Sequence, residues 1–208
     1  MDYNALDVVC KYGTQHQYYA RKPLTCVQGI AINSAMTYSF VEAENLPGLT
    51  VMAEERLGVL ADIIGQYTIF GKVQGSDLVG TQYRSPFAVE ALRPVIHSNH
   101  VTADSGTGLV HCAPAHGVED YHAFLTLSPA SIESGLLCHI NGEGRFTEDI
   151  AEVVGDSAAK ELVGQDIMKA GSRSIVKLLE AAGALVKVQR IRHRYPYDWK
   201  TGEPVITL

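Results

Sequence analysis

Glycine and proline interrupt this chain so often that no apolar run outlasts a single strand or a short helix. There are 19 glycines and 8 prolines in 208 residues, and they separate short apolar segments in the manner of a β-rich chain. The longest apolar stretches, 106–115 and 175–188, are short or broken by charges, which rules out a membrane span. Hydrophobic residues still make up 46% of the chain, enough for a packed core. Charged residues reach 19% without a low-complexity run, so disorder over most of the length is excluded.

Between the breaks, strand-like segments lie at 27–33, 38–43, 49–52, 67–73, 78–83, 94–97, 100–102, 108–112 and 185–191. Gly75-Ser76-Asp77 is read as a turn. A helix is predicted over 53–64, with Leu57, Leu60, Ala61 and Ile64 on one face and Glu54 and Glu55 in the first turn. A short helix is predicted after Gly117. Another covers 172–182, with Ser172 as cap, Ile175, Val176, Leu179 and Ala182 at helical spacing, and Gly183 as stop. No repeat recurs at a fixed period. Short strands with interspersed helices, lacking strict β-α-β alternation, predict an α+β fold with a small β-barrel core and surrounding helices.

Charge narrows the function. Seventeen Lys and Arg against 23 Asp and Glu leave a formal charge of −6, the wrong sign for gripping a nucleic-acid duplex. Contact with a short single-stranded end through one basic groove stays compatible with that balance. Cys10, Cys26, Cys112 and Cys138 form no C-x-x-C pair, which reads as reduced thiols of an intracellular protein. Residues 1–19 are neither a secretory signal nor an Arg-rich transit peptide.

One stretch concentrates chemistry: residues 104–121, D-S-G-T-G-L-V-H-C-A-P-A-H-G-V-E-D-Y. Gly106-Thr107-Gly108 permits close backbone approach to a ligand, because glycine carries no Cβ and tolerates positive φ. A strand then delivers His111, and the segment 114–117 turns into a helix whose first turn holds Asp120 beside unpaired N–H groups. Taken singly, these features have plain readings as a tight turn, a half-buried histidine and a helix N-terminal charge. His111, His116 and Asp120 lack the H-E-x-x-H spacing, so no metal site is assigned to them. A Cys112–His111 nucleophile is disfavoured, because adjacent strand residues point to opposite faces.

Read together, the run 106–121 resembles the signature of the editing (connective-peptide insertion) domains of class I aminoacyl-tRNA synthetases for branched aliphatic amino acids. The isoleucyl branch is the closest match, since histidine stands at His111. Residues 75–83 (G-S-D-L-V-G-T-Q-Y) resemble that family's G-x-x-L-x-G-x-x-Y segment, and residues 94–102 its strand into the Gly-Thr-Gly turn. Residues 193–206 (H-R-Y-P-Y-D-W-K-T-G-E-P-V-I) resemble the stretch where the inserted domain rejoins the synthetase core. The resemblance divides the chain into an atypical segment 1–27, an editing domain 28–192 and the start of the return segment 193–208. Two departures stand out. The family's threonine-rich W-T-T-T-P-W-T segment is replaced at 18–27 by Y-Y-A-R-K-P-L-T-C-V, with Thr25 its one hydroxyl in common. The H-I-G-H and K-M-S-K-S motifs of amino-acid activation do not occur, so no synthetic activity is expected.

The resemblance implies hydrolysis of valine mischarged onto tRNA(Ile), with the tRNA acceptor end and the rest of the synthetase as partners. It places Asp120 and His111 in the catalytic site, and Gly106, Thr107, Gly108, His116, Gly117 and Thr25 in the substrate-binding wall. No cofactor or metal is expected. The implied location is intracellular, either cytoplasmic or the mitochondrial matrix for an organellar parent. The alternative is a non-catalytic module of the same fold that binds the tRNA acceptor end.

Overall fold

β-Branched and aromatic residues gathered between the glycine breaks form the sheets of the computed structural model, which describes residues 3–5, 28–84, 86–87, 92–127, 136, 138–188, 191–193, 197–202 and 205. In chain order the elements are β1 (Tyr3–Ala5), β2 (Gly29–Ile32), β3 (Thr37–Ala43), β4 (Thr50–Ala53), α1 (Leu57–Ile64), β5 (Tyr67–Gln74), α2 (Gly75–Leu78), β6 (Gln82–Arg84) and β7 (Leu92–His97). They continue with β8 (Val110–Cys112), α3 (Val118–Leu127), α4 (Ala151–Val154), α5 (Asp156–Leu162), α6 (Ser172–Ala181) and β9 (Ile191–His193).

The strands make a four-stranded sheet in the order β6-β7-β2-β8, a three-stranded sheet β4-β3-β5 and a pair β1-β9. Within the first sheet β2 runs parallel to β7, with Ile30 beside Val95, and antiparallel to β8, with Ile30 beside His111. A parallel pair needs a long crossover. The whole segment from β3 to β6 supplies it, so the second sheet is threaded between the two central strands of the first. β2 is buried along its length, which is why G-I-A-I shows no alternation. Both faces are covered, one by the cluster Ala31, Ile96, Val101, Cys112, Ala123 and Phe124, the other by Ile30, Ile32, Tyr38, Ala53 and Tyr83.

The mixture of sheets and helices matches the expected class, but no closed barrel forms among the described residues. Three further expectations are corrected. Residues 78–83 are strand only from Gln82, because Gly75–Leu78 winds into a helical turn closed by the Thr81 hydroxyl on the Leu78 carbonyl at 2.6 Å. Residues 100–102 are no strand but the end of a turn and irregular chain: Val101 N–H bonds to Ser98 O at 3.3 Å, and the Asn33 side-chain amide donates to Val101 O at 3.0 Å. Residues 185–188 are irregular, because Ala184 and Leu185 both donate back to Leu179 O and close the end of α6. Ser172 is not the cap of α6 either. A π-helical turn, Ile167–Gly171, precedes it, Asp166 accepts from Met168 N–H, and the Ser172 hydroxyl donates to Ile167 O.

The C-terminal helices have their own core of Ile150, Val154, Ala159 and Leu162. No helix among the described residues is long and apolar enough to cross a membrane. Leu162 has no solvent exposure. Leu162→Ala should therefore lower unfolding free energy by about 2–5 kcal/mol, read as a reduced urea midpoint at unchanged slope.

Candidate functional site

Five backbone carbonyls of the glycine-rich turn point into the protein and are held there. Arg56, at the end of the 3-10 turn Glu54–Arg56, is buried, and its guanidinium spreads over three of them. Its Nε donates to Gly106 O at 2.8 Å, and Nη1 to Ala103 O at 3.0 Å and Asp104 O at 3.3 Å. Ala53 N–H donates to Thr107 O at 2.9 Å. The Tyr38 hydroxyl donates to Gly108 O at 2.9 Å while accepting from Asn33 N–H at 3.0 Å. Burial raises the Tyr38 pKa, against the lowering pull of the Asn33 N–H, so this hydroxyl keeps its proton and stays a donor. Gly106 and Gly108 both take positive φ, as the sequence reading requires. A Cβ on Gly108 would lie 2.4 Å from the Ala53 Cβ, so glycine is needed there for space as well.

From this turn β8 carries the chain past His111 and Cys112, whose side chains diverge as alternation demands: His111 exposed, Cys112 fully buried. The cysteine–histidine nucleophile is thereby excluded by geometry. The segment 113–117 then turns into α3, with His116 N–H on Ala113 O at 2.8 Å and Tyr121 N–H on Gly117 O at 2.8 Å. Asp120 sits in the first turn of α3 and reaches back across the bend. Its Oδ2 accepts from Ala113 N–H at 2.8 Å and its Oδ1 from the Cys112 thiol at 3.1 Å. His100 Nε2 lies 3.6 Å from Oδ1, and His100 Nδ1 contacts Ser98 Oγ at 2.8 Å. A Cβ on Gly117 would come within 3.0 Å of Asp120 Oδ2, so the small residue leaves room for the carboxylate.

The pKa shifts suit an acceptor site. Burial pushes the Cys112 thiol upward, and Asp120 reinforces this, so the thiol remains a donor to the carboxylate. Although the His111 ring is solvent-accessible, enough protein surrounds it for desolvation to lower its pKa. Asp120 pulls the other way, and Arg93 adds to the lowering. A neutral His111 leaves the Asp120 negative charge available to an incoming cation. His116 lies close enough to His139 to disfavour its protonation.

Gly106, Thr107, Gly108, His111, His116, Gly117 and Asp120 lie within one stretch of the sequence, and the structure adds the contacts of Asp120 with Ala113, Cys112 and His100. Thr25 lies outside the described residues. Sequence reasoning missed Arg56, Tyr38 and His100, and weighed Cys112 only as a nucleophile. Arg56 follows two glutamates and reads as an ordinary helix-start charge, and His100 falls in a segment that resembles a strand. Nothing local signals their contacts, which span 47 to 70 residues in the cases of Arg56 and Tyr38.

A solved GlLeuRS-CP1 structure superposes with a TM-score of 0.57 at 17% identity, covering 83% of each chain. The P. falciparum cytosolic leucyl-tRNA synthetase editing domain gives 0.52 at 11% identity, over 76% of this chain and 72% of that one. No family model matches. These likenesses show that the chain shares the fold of those synthetase connective-peptide and editing domains. Sequence narrows this further. The chain is 32% identical over 170 residues to the mitochondrial isoleucine--tRNA ligase of Gallus gallus, and 34% over 178 residues to the isoleucine--tRNA ligase of Prochlorococcus marinus strain MIT 9313. These matches cover 81% and 85% of this chain but only 16% and 17% of the two ligases, so it spans about a sixth of their length. The chain belongs to the editing domains of the isoleucyl-tRNA synthetase family.

Two measurements check this description. Arg56→Met keeps the stem but removes three charge-assisted bonds, and should destabilise the domain by about 3 kcal/mol with faster amide exchange across 103–108. His139 is buried, its Nε2 has no hydrogen-bond partner among the described residues, and desolvation, with His116 and Arg93 and against Asp149, lowers its pKa to about 4. The unfolded chain therefore takes up a proton near pH 6.5 that the folded chain refuses. Stability is full above that pH and falls by up to about 3 kcal/mol between pH 6.5 and 4. His139→Leu should flatten this slope in urea titrations at several pH values.

Proposed function

We propose that this domain performs post-transfer editing, hydrolysing the ester of valine mischarged onto tRNA(Ile). The observation that carries the reading is the Asp120 carboxylate, oriented by Ala113 N–H and the Cys112 thiol, near a histidine whose pKa desolvation lowers. A fixed carboxylate with a free lone pair is an anchor for the α-ammonium of an aminoacyl ester, through a charge-assisted hydrogen bond. His111, across β8 from the buried Cys112, forms the wall against a larger side chain. Water then attacks the ester carbonyl, the carbon–ribose oxygen bond breaks, and valine leaves the intact tRNA. The turn around Gly106–Gly108 and the terminal ribose hydroxyl position that water.

Selectivity is needed because one methylene separates isoleucine from valine by only about 1–3 kcal/mol, a limit established on isoleucyl enzymes themselves. The tRNA(Ile) acceptor end and the remainder of the synthetase are the proposed partners. The second reading, a binding module without hydrolysis, draws on the replaced threonine-rich segment at 18–27. Single-turnover deacylation of Val-tRNA(Ile) by the chain separates the two.

In that assay Asp120→Ala should slow hydrolysis by at least about 30-fold in a chain that still folds at a lowered melting temperature, since truncating one partner of a hydrogen-bonded charge pair costs about 2–5 kcal/mol. An unchanged rate removes Asp120 as the anchor. His111→Ala opens the wall and should let the domain deacylate Ile-tRNA(Ile), shifting the Ile-to-Val rate ratio by about 10- to 100-fold. A lower melting temperature with an unchanged ratio assigns His111 a purely structural role.

A further inference from the structure

We propose that His100, Cys112 and Asp120 form a binding site for a thiophilic divalent cation, with Zn2+ the best fit, and that the bound ion competes with the aminoacyl ammonium for Asp120. The three side chains come from separate segments: the turn after β7, the end of β8 and the first turn of α3. One ligand atom from each lies within 4.8 Å of the other two. Cys112 Sγ is 3.1 Å and His100 Nε2 3.6 Å from the same oxygen, Asp120 Oδ1. Tetrahedral zinc, with bonds of about 2.0–2.3 Å, sets donor separations of about 3.3–3.8 Å, a range that brackets or nearly matches the spacing of Sγ and Nε2 from Oδ1. A sulfur, nitrogen and oxygen set selects zinc or a related soft ion over magnesium or calcium, which prefer oxygen alone.

The surrounding contacts already orient the donors. Ser98 Oγ on His100 Nδ1 leaves Nε2 as the ligand, and Ala113 N–H on Asp120 Oδ2 leaves Oδ1 as the ligand. The His100 and Asp120 side chains are 22% and 17% exposed, which opens a path for the ion to the buried sulfur. On binding, the S–H bond breaks, a metal–sulfur bond forms and one proton leaves to solvent, so affinity rises with pH. This donor set is not the one considered from sequence: His111 and His116 take no part, and His100 and Cys112 replace them. The competition rests on the reading of Asp120 as ammonium anchor, whereas the binding does not.

The test is titration of the 208-residue chain with Co2+ and then Zn2+. Expected are one ion per chain, a thiolate-to-cobalt charge-transfer band, one proton released per ion, and displacement of Co2+ by Zn2+. Cys112→Ser and His100→Phe should each weaken binding by more than about 100-fold, beyond the loss of an outer contact, while Cys138→Ser keeps it. Thermal unfolding checks both variants. Should Cys112→Ser not fold, His100→Phe, at a partly exposed position, decides. A cobalt complex without the charge-transfer band, or affinity unchanged in the folded variants, overturns the site. Zn2+ should slow Val-tRNA(Ile) hydrolysis by the parent chain and not by His100→Phe. Full occupancy with an undiminished rate overturns the competition. A chain that binds Co2+ through these residues yet hydrolyses nothing keeps the site and removes the editing reading together with the competition.

Discussion

The grip on the carbonyls of residues 103–108 is the constraint on which the site depends. A turn with two positive-φ glycines has many conformations open to it. Here the selection comes from outside, through the Arg56 guanidinium, the Ala53 N–H and the Tyr38 hydroxyl. All three donors belong to β3, β4 or the 3-10 turn after β4, so the second sheet clamps the loop that feeds β8 of the first. Because Arg56 and Tyr38 are buried, each bond is made where water competes poorly, and leaving any of these carbonyls unpaired would be costly.

What the clamp sets, β8 transmits. Its three residues fix where His111 and Cys112 point, and the bend at 113–117 returns Asp120 to the same spot. The carboxylate then ties the bend together by accepting from Ala113 and Cys112. One group thus serves stability and recognition at once. Beneath the carboxylate the floor is apolar, where Cys112 joins Ala31, Ile96, Val101, Ala123 and Phe124. A carboxylate resting on such a floor has few competing partners, which is what lets one charge discriminate among ligands.

The local features of the fold are readable in the sequence. Most strands and the helices at 57–64, 118–127 and 172–181 follow from apolar periodicity and glycine stops, and the Gly-Thr-Gly turn, His111 and Asp120 follow from the motif around them. The errors share a cause. At 78–81, 100–102 and 185–188 the strand pattern is real, but Thr81, Asn33 and the carbonyl of Leu179 capture backbone groups that a ladder would have used. Side-chain and end-of-helix bonds of that kind depend on partners that periodicity does not report.

The sequence by itself determined which residue types could do chemistry and roughly where the chain would bend, because period, glycine conformational freedom and motif spacing are local properties. Tertiary structure alone decided which of those residues meet. It joined Arg56 to carbonyls about 50 positions away, placed Tyr38 under Gly108, and set His100 beside Asp120. It also left the expected barrel unclosed among the described residues. Such long-range contacts arise from how two sheets pack, and packing is settled by shape and burial over the whole core, which no short window of sequence contains.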